Sequence, residues 1–569
     1  MMTQRFNKTT LAAIPALLFL FAFFVIPVGE ILWGSIYASD TGFSISAFER
    51  IANAPVYAKV MWITFKISML TAILSVALGY PIAYMMSRMS QRARNRWLIW
   101  VLLPFWTSYI VKAYAWILLL SNTGLFAIVA QNVGITSAAN GVIPSLNGVL
   151  IGMVHAMLPL AVMTMLPIMR NVDTHLVQAA ETMGADRRTA FFSIFLPLSA
   201  PGAAAGGLLV FITSLGFFIV PALLGSPGES MIAQMVISSV LELFDMRFAG
   251  ALSVVLLACS IIVFVLYDRM VGLSSLTGEA PDPAKGKAAG KMMPVLIALG
   301  RGLSWLPARR GREGFGLPLK AYSLALVLVL VLPILVVVPI AFTSANYVAF
   351  PPELFSLKWF DTFLNSPVWR SAMFRSFGVG LATAALALMI GFGATLALAK
   401  MSQRSAKAAF AFFIAPLIVP RIVVAVGLLY LFARLGLTGS DLGLVIGHTV
   451  LAVPYVVVAL SAGFKGFDWR LDDAARLMGA GALTRLRTVM LPLMTGSLIS
   501  AFLFAFIVSF DDLTIAIFVS GGINTTLPKQ MWDDIQLALT PTLAAASTTL
   551  VLIVTIVVFV SSYFQRKKD

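Results

Sequence analysis

Charged residues are scarce in this chain. Only 11% of its 569 residues are Asp, Glu, Lys or Arg, whereas soluble domains carry about 25%. Cysteine occurs once, at Cys259, which excludes an internal disulfide. The three histidines form no His/Cys metal motif. These absences disfavour a membrane enzyme, so we expect no catalytic residue and no metal in this chain.

Hydrophobic residues, by contrast, make up 60% of the chain. A helix needs roughly 20 apolar residues to cross the hydrocarbon core. Twelve such runs occur, six in each half: 11–37, 63–86, 97–120, 148–169, 200–224, 250–267, 322–342, 377–398, 408–432, 443–464, 496–519 and 543–564. We predict an all-α polytopic membrane protein with twelve transmembrane helices, surrounded by membrane lipid.

The net charge of +16 follows the predicted topology. If the N-terminus is inside, the alternate loops and both tails hold 29 of the 40 Lys and Arg residues. Cytoplasmic loops of helical membrane proteins collect these residues. We therefore predict that both termini are cytoplasmic and that no nucleic acid is bound.

The chain contains an internal repeat. SRMSQRA at 87–93 recurs as AKMSQRS at 399–405, an offset of 312, and IGMVHAMLP at 151–159 recurs as IGHTVLAVP at 446–454, an offset of 295. The two offsets differ by 17, which places an insertion in the first copy's outer loop, roughly at 121–147. The insertion could gate the solute or grip a binding protein, and we expect that it grips the binding protein. We predict two six-helix units in the same orientation, 1–271 and 320–569, joined by a flexible cytoplasmic linker at 272–319.

A hydrophilic segment lies between the fourth and fifth span of each unit. We name 177–198 the first elbow and 471–493 the second elbow. In each, an Ala-Ala pair is followed by a glycine and then by Leu-Pro: Ala179, Ala180, Gly184, Leu196 and Pro197, and Ala474, Ala475, Gly479, Leu491 and Pro492. The pattern predicts two short helices around a glycine turn, with small alanines that let a partner surface approach closely.

The elbows resemble the coupling loop of ABC importer permeases, whose pattern is Glu-Ala-Ala, three residues, Gly, nine residues, an aliphatic residue, any residue, Leu-Pro. The first position is Gln178 in one elbow and Asp473 in the other. The resemblance implies that two copies of a cytoplasmic ATPase subunit dock on the elbows and that a periplasmic solute-binding protein delivers the solute. Only Asp473 could make a charge-assisted contact there, so we predict unequal couplings.

The chain has no P-loop of its own. GKAAGKM at 286–292 has three residues between its glycines instead of four, and it ends in Met. The resemblance therefore implies that ATP and Mg are bound by the partner ATPase and that this chain holds no cofactor. It also implies a location in the bacterial cytoplasmic (inner) membrane.

Three further segments resemble the permease subunits of spermidine/putrescine importers. LLPFWTSYIVKAYAW at 102–116 resembles the first subunit, and FPPELFSLKWF at 350–360 and SFDDLTIAIFVSG at 509–521 resemble the second. The resemblance implies two permease subunits fused in one chain and a polyamine-like solute such as putrescine or spermidine. Related permeases move aminoethylphosphonate, opines or amino-acid-like amines, so these solutes stay open, and a secondary transporter is a further alternative.

Acidic residues inside a span mark a candidate solute path. Asp511 and Asp512 lie about 19 residues after Pro492, roughly 28 Å along a helix from the second elbow. Carboxylates at this depth are costly and usually face a cavity or a partner. They could attract a cation, pair internally with Lys112 or Arg421, or cap the helix end.

The third span contributes further candidates to this path: Trp106, Tyr109 and Lys112. The aromatic rings could bind a cationic ligand through their faces. Aromatic residues near a span end also serve as packing or interfacial anchors, which is the interpretation we favour for Tyr109.

Overall fold

The computed structural model describes residues 8–38, 42–134, 142–270, 316–348, 350–352, 354–522 and 524–566. Helices dominate this part of the chain. The helices of the first half are α1 Ile14–Leu20, α2 Ile26–Ile36, α3 Ser46–Asn53, α4 Pro55–Ser87, α5 Gln91–Trp106, α6 Tyr109–Leu120, α7 Leu125–Val133, α8 Leu146–Arg170, α9 Thr174–Thr182, α10 Arg187–Ala190, α11 Leu196–Leu215, α12 Ile219–Leu224, α13 Ile232–Leu241 and α14 Met246–Met270.

The helices of the second half are α15 Leu317–Ala341, α16 Lys358–Asn365, α17 Pro367–Leu398, α18 Gln403–Ile418, α19 Arg421–Leu435, α20 Asp441–Lys465, α21 Trp469–Leu477, α22 Ala482–Arg485, α23 Leu491–Phe510, α24 Thr514–Val519, α25 Leu527–Leu537 and α26 Pro541–Arg566. The 3-10 helices are Lys8–Ala13 and Pro227–Glu229, and π-helical turns occur at Phe21–Val25, Phe191–Phe195 and Leu486–Met490. Two short strands, β1 Tyr37–Ala38 and β2 Gly42–Phe43, pair antiparallel after the first span.

Ten helical segments of the described chain are long and apolar enough to cross a membrane, and some of them join labelled helices, as Tyr109–Asn132 joins α6 and α7. The bent pair of α18 and α19 raises the number to eleven if it counts as one span. The last predicted span, 543–564, lies in α26, of which Pro541–Ile556 is an apolar helical segment. The prediction of an all-α polytopic fold is confirmed, and the count of twelve is consistent with these helices.

The repeat is visible in the helix boundaries. Four helices of the first half recur in the second half with the same offset as IGMVHAMLP and IGHTVLAVP: α8, α9, α11 and α12 recur as α20, α21, α23 and α24. The offset holds for both the first and the last residue of each helix. Upstream of the predicted insertion, α5 recurs as α18 with the larger offset of SRMSQRA and AKMSQRS. Between these two registers the first half contains α7, for which the described second half has no counterpart. The insertion predicted at 121–147 therefore includes this helix.

The third and fifth spans of each half are broken, which corrects the continuous runs expected from hydropathy. In the third span of the first half, α5 ends before Thr107 and Ser108. In the third span of the second half, α18 ends before Val419 and Pro420, and the axis bends by 92° between α18 and α19. In the fifth span, α11 and α12 are separated by 216–218, and α23 and α24 by 511–513. Both breaks of the third span lie close to prolines, which cannot donate a helical hydrogen bond.

The chain divides into two compact units that do not follow chain order. One unit combines Met1–Pro55, Ala233–Leu257 and Val337–Asp569. In it, the first span packs on α17 and α19, where glycines allow a close approach. A Cβ added to Gly393 would lie 2.6 Å from Ala12 O, and one added to Gly427 would lie 2.9 Å from Pro27 O. Backbones at this distance tolerate no side chain between them.

The other unit combines Val56–Ile232 and Ala258–Val336. Here the first helix of the second half, α15, bonds to helices of the first half. Tyr322 OH donates to Leu78 O at 2.9 Å, and His155 Nε2 is 2.9 Å from Leu330 O. Each unit therefore contains the first helix of one half and later helices of the other. The predicted linker at 272–319 lies, up to residue 315, outside the described residues, so the division at that linker stays a prediction.

Candidate functional sites

The two elbows have the same backbone geometry. Helix α9 follows Asp173 and helix α21 follows Asp468, and each aspartate accepts a hydrogen bond from the backbone of its helix's second residue. Each helix ends two residues before the predicted glycine, Gly184 with φ +92° and Gly479 with φ +85°. Because glycine adopts such a φ without steric cost, the turn explains the glycine of the pattern.

The second alanine of each pair closes this turn. Ala185 N donates to Ala180 O and Ala480 N donates to Ala475 O, both at 3.0 Å. Ala180 is 8% exposed and Ala475 is 7% exposed. These two alanines are therefore structural, because a larger side chain would have to displace the packing behind the helix.

The first alanine of each pair lies on a partly apolar surface. Ala179 and Ala474 are exposed, and so are Gln178 and Asp473 before them. Leucine and methionine side chains at equivalent positions flank them and are exposed: Leu176, Met183, Leu471 and Met478. Because exposed apolar groups that cluster in this way favour a protein contact, the elbows present two similar candidate docking surfaces.

Pro197 and Pro492 set the geometry at the end of the elbows. Each follows a π-helical turn that ends two residues earlier. The residues before the prolines, Leu196 and Leu491, donate their N–H to the carbonyl five residues back. A proline lacks the N–H for a helical bond and its ring clashes with the carbonyl four residues back, so the preceding turn widens. The Leu-Pro of the pattern therefore determines how each elbow enters the next span.

The second elbow also contains an ion pair that was not expected from the sequence. Arg485 Nε lies 2.9 Å from Asp472 Oδ1, and the two side chains are 21% and 7% exposed. The equivalent residues of the first elbow, matched through the repeat, are Val177 and Ala190, which are both buried. Comparing the repeats position by position could have found this replacement of an apolar pair by a charged pair.

The packing behind the two elbows differs as well. In the first elbow, Phe191 and Phe195 pack edge-to-face on Tyr84, with ring centroids 5.1 and 4.8 Å away. Next to the second, Lys400 Nζ lies 3.6 Å from the ring centroid of Trp469, two residues before that elbow begins. The two elbows are therefore similar on their exposed side and different on their buried side.

A carboxylate caps the second helix of the first elbow. Asp186 Oδ1 accepts a hydrogen bond from Thr189 N at 3.2 Å at the start of α10. Hydrogen bonding to Thr189 lowers the pKa of Asp186 below its ordinary value, 3.8. Gly481 occupies the equivalent position in the second elbow, where it provides no side-chain cap.

In the second half, the acidic pair lies at the break of the fifth span. Asp511 directly follows α23 and is half-buried. Asp512 is 1% exposed, and its Oδ2 accepts a hydrogen bond from Ile515 N at 2.8 Å, which caps α24. The same oxygen lies 3.5 Å from His448 Nε2. The sequence did not single out this histidine as a neighbour of the pair.

The other path candidates lie at the break of the third span in the first half. Lys112 is 1% exposed, donates from Nζ to Pro104 O at 3.1 Å and lies 4.1 Å from the ring centroid of Tyr109. The Tyr109 ring also packs edge-to-face on Phe217, 5.0 Å away. Trp106 is the last residue of α5 and is half-buried. Their role in a solute path stays a prediction.

No group of three or more His, Cys, Asp or Glu side chains within the described ranges is arranged to hold a metal ion. The arrangement is one of apolar spans, paired elbows and broken helices. Comparison with known families agrees with this arrangement: 79–275 and 387–569 each match the family described as "Binding-protein-dependent transport system inner membrane component". The two matches cover more than half of the chain, so the chain belongs to this family. It is a multi-pass inner-membrane permease of the ABC importer class, and a transporter rather than an enzyme.

Individual relatives show which members of this family the chain resembles. The spermidine/putrescine transport system permease protein PotB of Haemophilus influenzae is 31% identical over 271 residues, which cover 46% of this chain and 94% of the relative. PotC of the same organism is 30% identical over 215 residues, which cover 38% of this chain and 84% of the relative. The crystal structure of a bacterial ABC transporter involved in the import of the acidic polysaccharide alginate is 15% identical, with 45% of this chain and 91% of that chain covered, at a TM-score of 0.38. The prediction of two permease subunits fused in one chain is confirmed by the double family match.

Proposed function

We propose that this permease passes a small cationic amine of the putrescine and spermidine class from a periplasmic solute-binding protein to the cytoplasm. The substrate class is supported by the names of the relatives, which match over most of their length. It is also supported by Asp511 and Asp512, because carboxylates at a break in the outer part of a span would attract an ammonium group. Aminoethylphosphonate, an opine or another amine that also carries an acidic group is the second candidate, since Lys112 supplies a buried cation in the other half.

We propose further that two copies of a cytoplasmic ATPase subunit dock on the chain, one on each elbow. The observation that carries this proposal is the recurrence, at equivalent positions of the repeat, of the same turn with the same exposed alanine, leucine and methionine. ATP and Mg would be bound and hydrolysed in those subunits, and both elbows and both termini would lie in the cytoplasm. The α7 insertion would face outwards and contact the binding protein.

Uptake measurements test the proposed function. A strain without polyamine uptake would express this chain together with the ATPase and binding protein from its genomic neighbourhood. We expect uptake of radiolabelled putrescine or spermidine that disappears when the P-loop lysine of the ATPase is replaced. Uptake that survives this replacement would favour a secondary transporter instead. Uptake of aminoethylphosphonate but not of putrescine would favour the second candidate.

Single-cysteine labelling tests the orientation. The native Cys259 would be replaced by serine, and Met183→Cys or Met478→Cys would add one exposed thiol on an elbow. We expect a membrane-impermeant maleimide to label these thiols in inverted vesicles but not in intact spheroplasts. Labelling in spheroplasts would contradict the cytoplasmic position of the elbows.

A further inference from the structure

A histidine, a serine and an aspartate meet at the broken fifth span of the second half. His448 lies on α20, Ser509 lies near the end of α23, and Asp512 lies in the break itself. His448 Nδ1 is 2.8 Å from Ser509 Oγ, and His448 Nε2 is 3.5 Å from Asp512 Oδ2. The histidine and aspartate side chains are each 1% exposed. One imidazole therefore contacts one side chain at the end of α23 and one in the break.

The two oxygens of Asp512 have different surroundings. Oδ2 accepts the Ile515 N–H and faces the imidazole. Oδ1 is buried and has no hydrogen-bond partner among the residues that the structure describes. A carboxylate oxygen is a strong acceptor, and leaving one unsatisfied in the interior is costly. One oxygen of the Asp512 carboxylate, Oδ1, is therefore available as an acceptor, while the other holds the carboxylate in place.

The first half shows that the fold does not require this arrangement. It makes the same break between α11 and α12, yet at the equivalent positions of the repeat Phe217 stands where Asp512 does and Met153 stands where His448 does. Phe217 has no side-chain oxygen that could accept a backbone N–H of α12 as Asp512 accepts that of Ile515. The neighbouring histidine of that half, His155, bonds to Leu330 O instead of a carboxylate. The histidine–aspartate pair is therefore a property of the second half and not of the broken span as such.

A buried carboxylate in a membrane span is costly unless a cation or donors lie close to it. At 3.5 Å, His448 Nε2 makes no hydrogen bond within the described residues, so it approaches Asp512 Oδ2 as a close polar contact. An imidazole can offer that oxygen a donor hydrogen or, when protonated, a positive charge. The Ser509 contact to Nδ1 fixes the ring, so that Nε2 is the nitrogen directed at Asp512.

We infer that His448 is the positioning residue of Asp512. Held by Ser509, it keeps Oδ2 on the α24 cap, so that Oδ1 is the oxygen offered to the ammonium group of a transported amine. This role rests on the proposed function. In this role His448 affects amine transport through its contact with Asp512 and not through the packing of α20.

A double-mutant cycle tests the assignment. His448→Leu and His448→Gln would be made with Asp512 present and in the Asp512→Asn background, and amine uptake would be measured with the complete importer at equal membrane levels of the chain. With Asp512 present, we expect His448→Leu to raise KM about tenfold and His448→Gln, which keeps a donor, to raise it about threefold. In the Asp512→Asn background we expect less than about a twofold effect of either. Equal effects in the two backgrounds, or a fall in Vmax alone, would overturn the inference.

His155→Gln is the control, because it changes the buried histidine of the first half, two residues after the position equivalent to His448. We expect its effect to be the same in both Asp512 backgrounds. A second cycle on the thermal unfolding midpoint of the purified chain in nanodiscs keeps the test independent of the solute. There we expect His448→Leu to lower the midpoint by at least about 2 °C with Asp512 present and not in the Asp512→Asn background. Equal shifts would refute the pairing, whereas absence of amine uptake by the unchanged importer would refute the proposed substrate class.

Discussion

Arg485→Ala should loosen the second elbow and leave the first unchanged. The substitution leaves the Asp472 carboxylate, whose side chain is 7% exposed, without its cation. Removing one partner of a fully buried ion pair costs about 3–5 kcal/mol. Because Arg485 is 21% exposed and water can reach the site, we expect a smaller cost of about 2 kcal/mol. This corresponds to roughly a 30-fold increase in the equilibrium constant for local opening of the elbow.

The first elbow suggests the matching rescue. It holds the same turn with Val177 and Ala190 at the equivalent positions. Asp472→Val together with Arg485→Ala would copy that apolar pair into the second elbow. Replacing a buried ion pair by packed apolar residues is often neutral or stabilising. We therefore expect the double variant to return to within about threefold of the unchanged chain in its opening equilibrium.

Amide hydrogen exchange of the chain in lipid nanodiscs measures both effects. The amides of 471–493 report on the second elbow, and those of 177–198 serve as an internal reference. We expect Arg485→Ala to accelerate exchange in the second elbow alone. The reasoning is refuted if the double variant exchanges as fast as Arg485→Ala or faster. The loss of the Arg485 side chain, and not the unpaired Asp472 carboxylate, would then cause the destabilisation. Equal acceleration in both elbows would show that the pair does not act locally.

Three further predictions concern the elbows. Asp473→Ala should reduce uptake several-fold more than Gln178→Ala, since only the aspartate can make a charge-assisted contact with an ATPase; equal losses would refute unequal coupling. Gly479→Ala should destabilise its turn by about 1–2 kcal/mol because φ is +85°. Gly496→Ala is the control: it also has open space around the added Cβ, and it should be neutral or stabilising. Similar exchange rates in the two variants would show that the positive φ does not cause the loss of stability. The pKa of Asp186 is lowered by its bond to Thr189, so its contribution to stability is present above its ordinary pKa, 3.8, and is lost as the pH falls through the lowered value. Protection of the α10 amides, corrected for the intrinsic pH dependence of exchange, should then fall in acid and stay constant in Asp186→Asn; the same fall in that variant would exclude the cap as its cause.

Composition and periodicity were sufficient to predict the helical membrane fold. Long apolar runs have one stable solution in lipid, because every backbone N–H and C=O must be bonded within the segment. The elbows were also predictable, because their glycine and proline act through the local backbone. Gly184 adopts a positive φ, and Pro197 widens the turn before it, whatever else surrounds them.

The broken spans were not predictable from hydropathy, because the apolar runs 97–120, 200–224, 408–432 and 496–519 continue across the breaks. The break after Phe510 contains Asp512, which caps the helix that follows and lies next to His448, a residue of the distant helix α20. The ion pair of Arg485 and Asp472 was missed for a similar reason, since the two partners are well separated along the chain and only the folded turn brings them together.

By itself, the sequence determined the twelve apolar runs, the tandem repeat, the two elbows and the family, because each of these depends on composition or on contacts between residues close along the chain. The tertiary structure decided which helices belong together. It grouped the first span with α17 and α19 through the close approaches at Gly393 and Gly427, and it brought His448 to Asp512. These contacts join residues tens to hundreds of positions apart, and their energy comes from packing and desolvation, which no local pattern encodes.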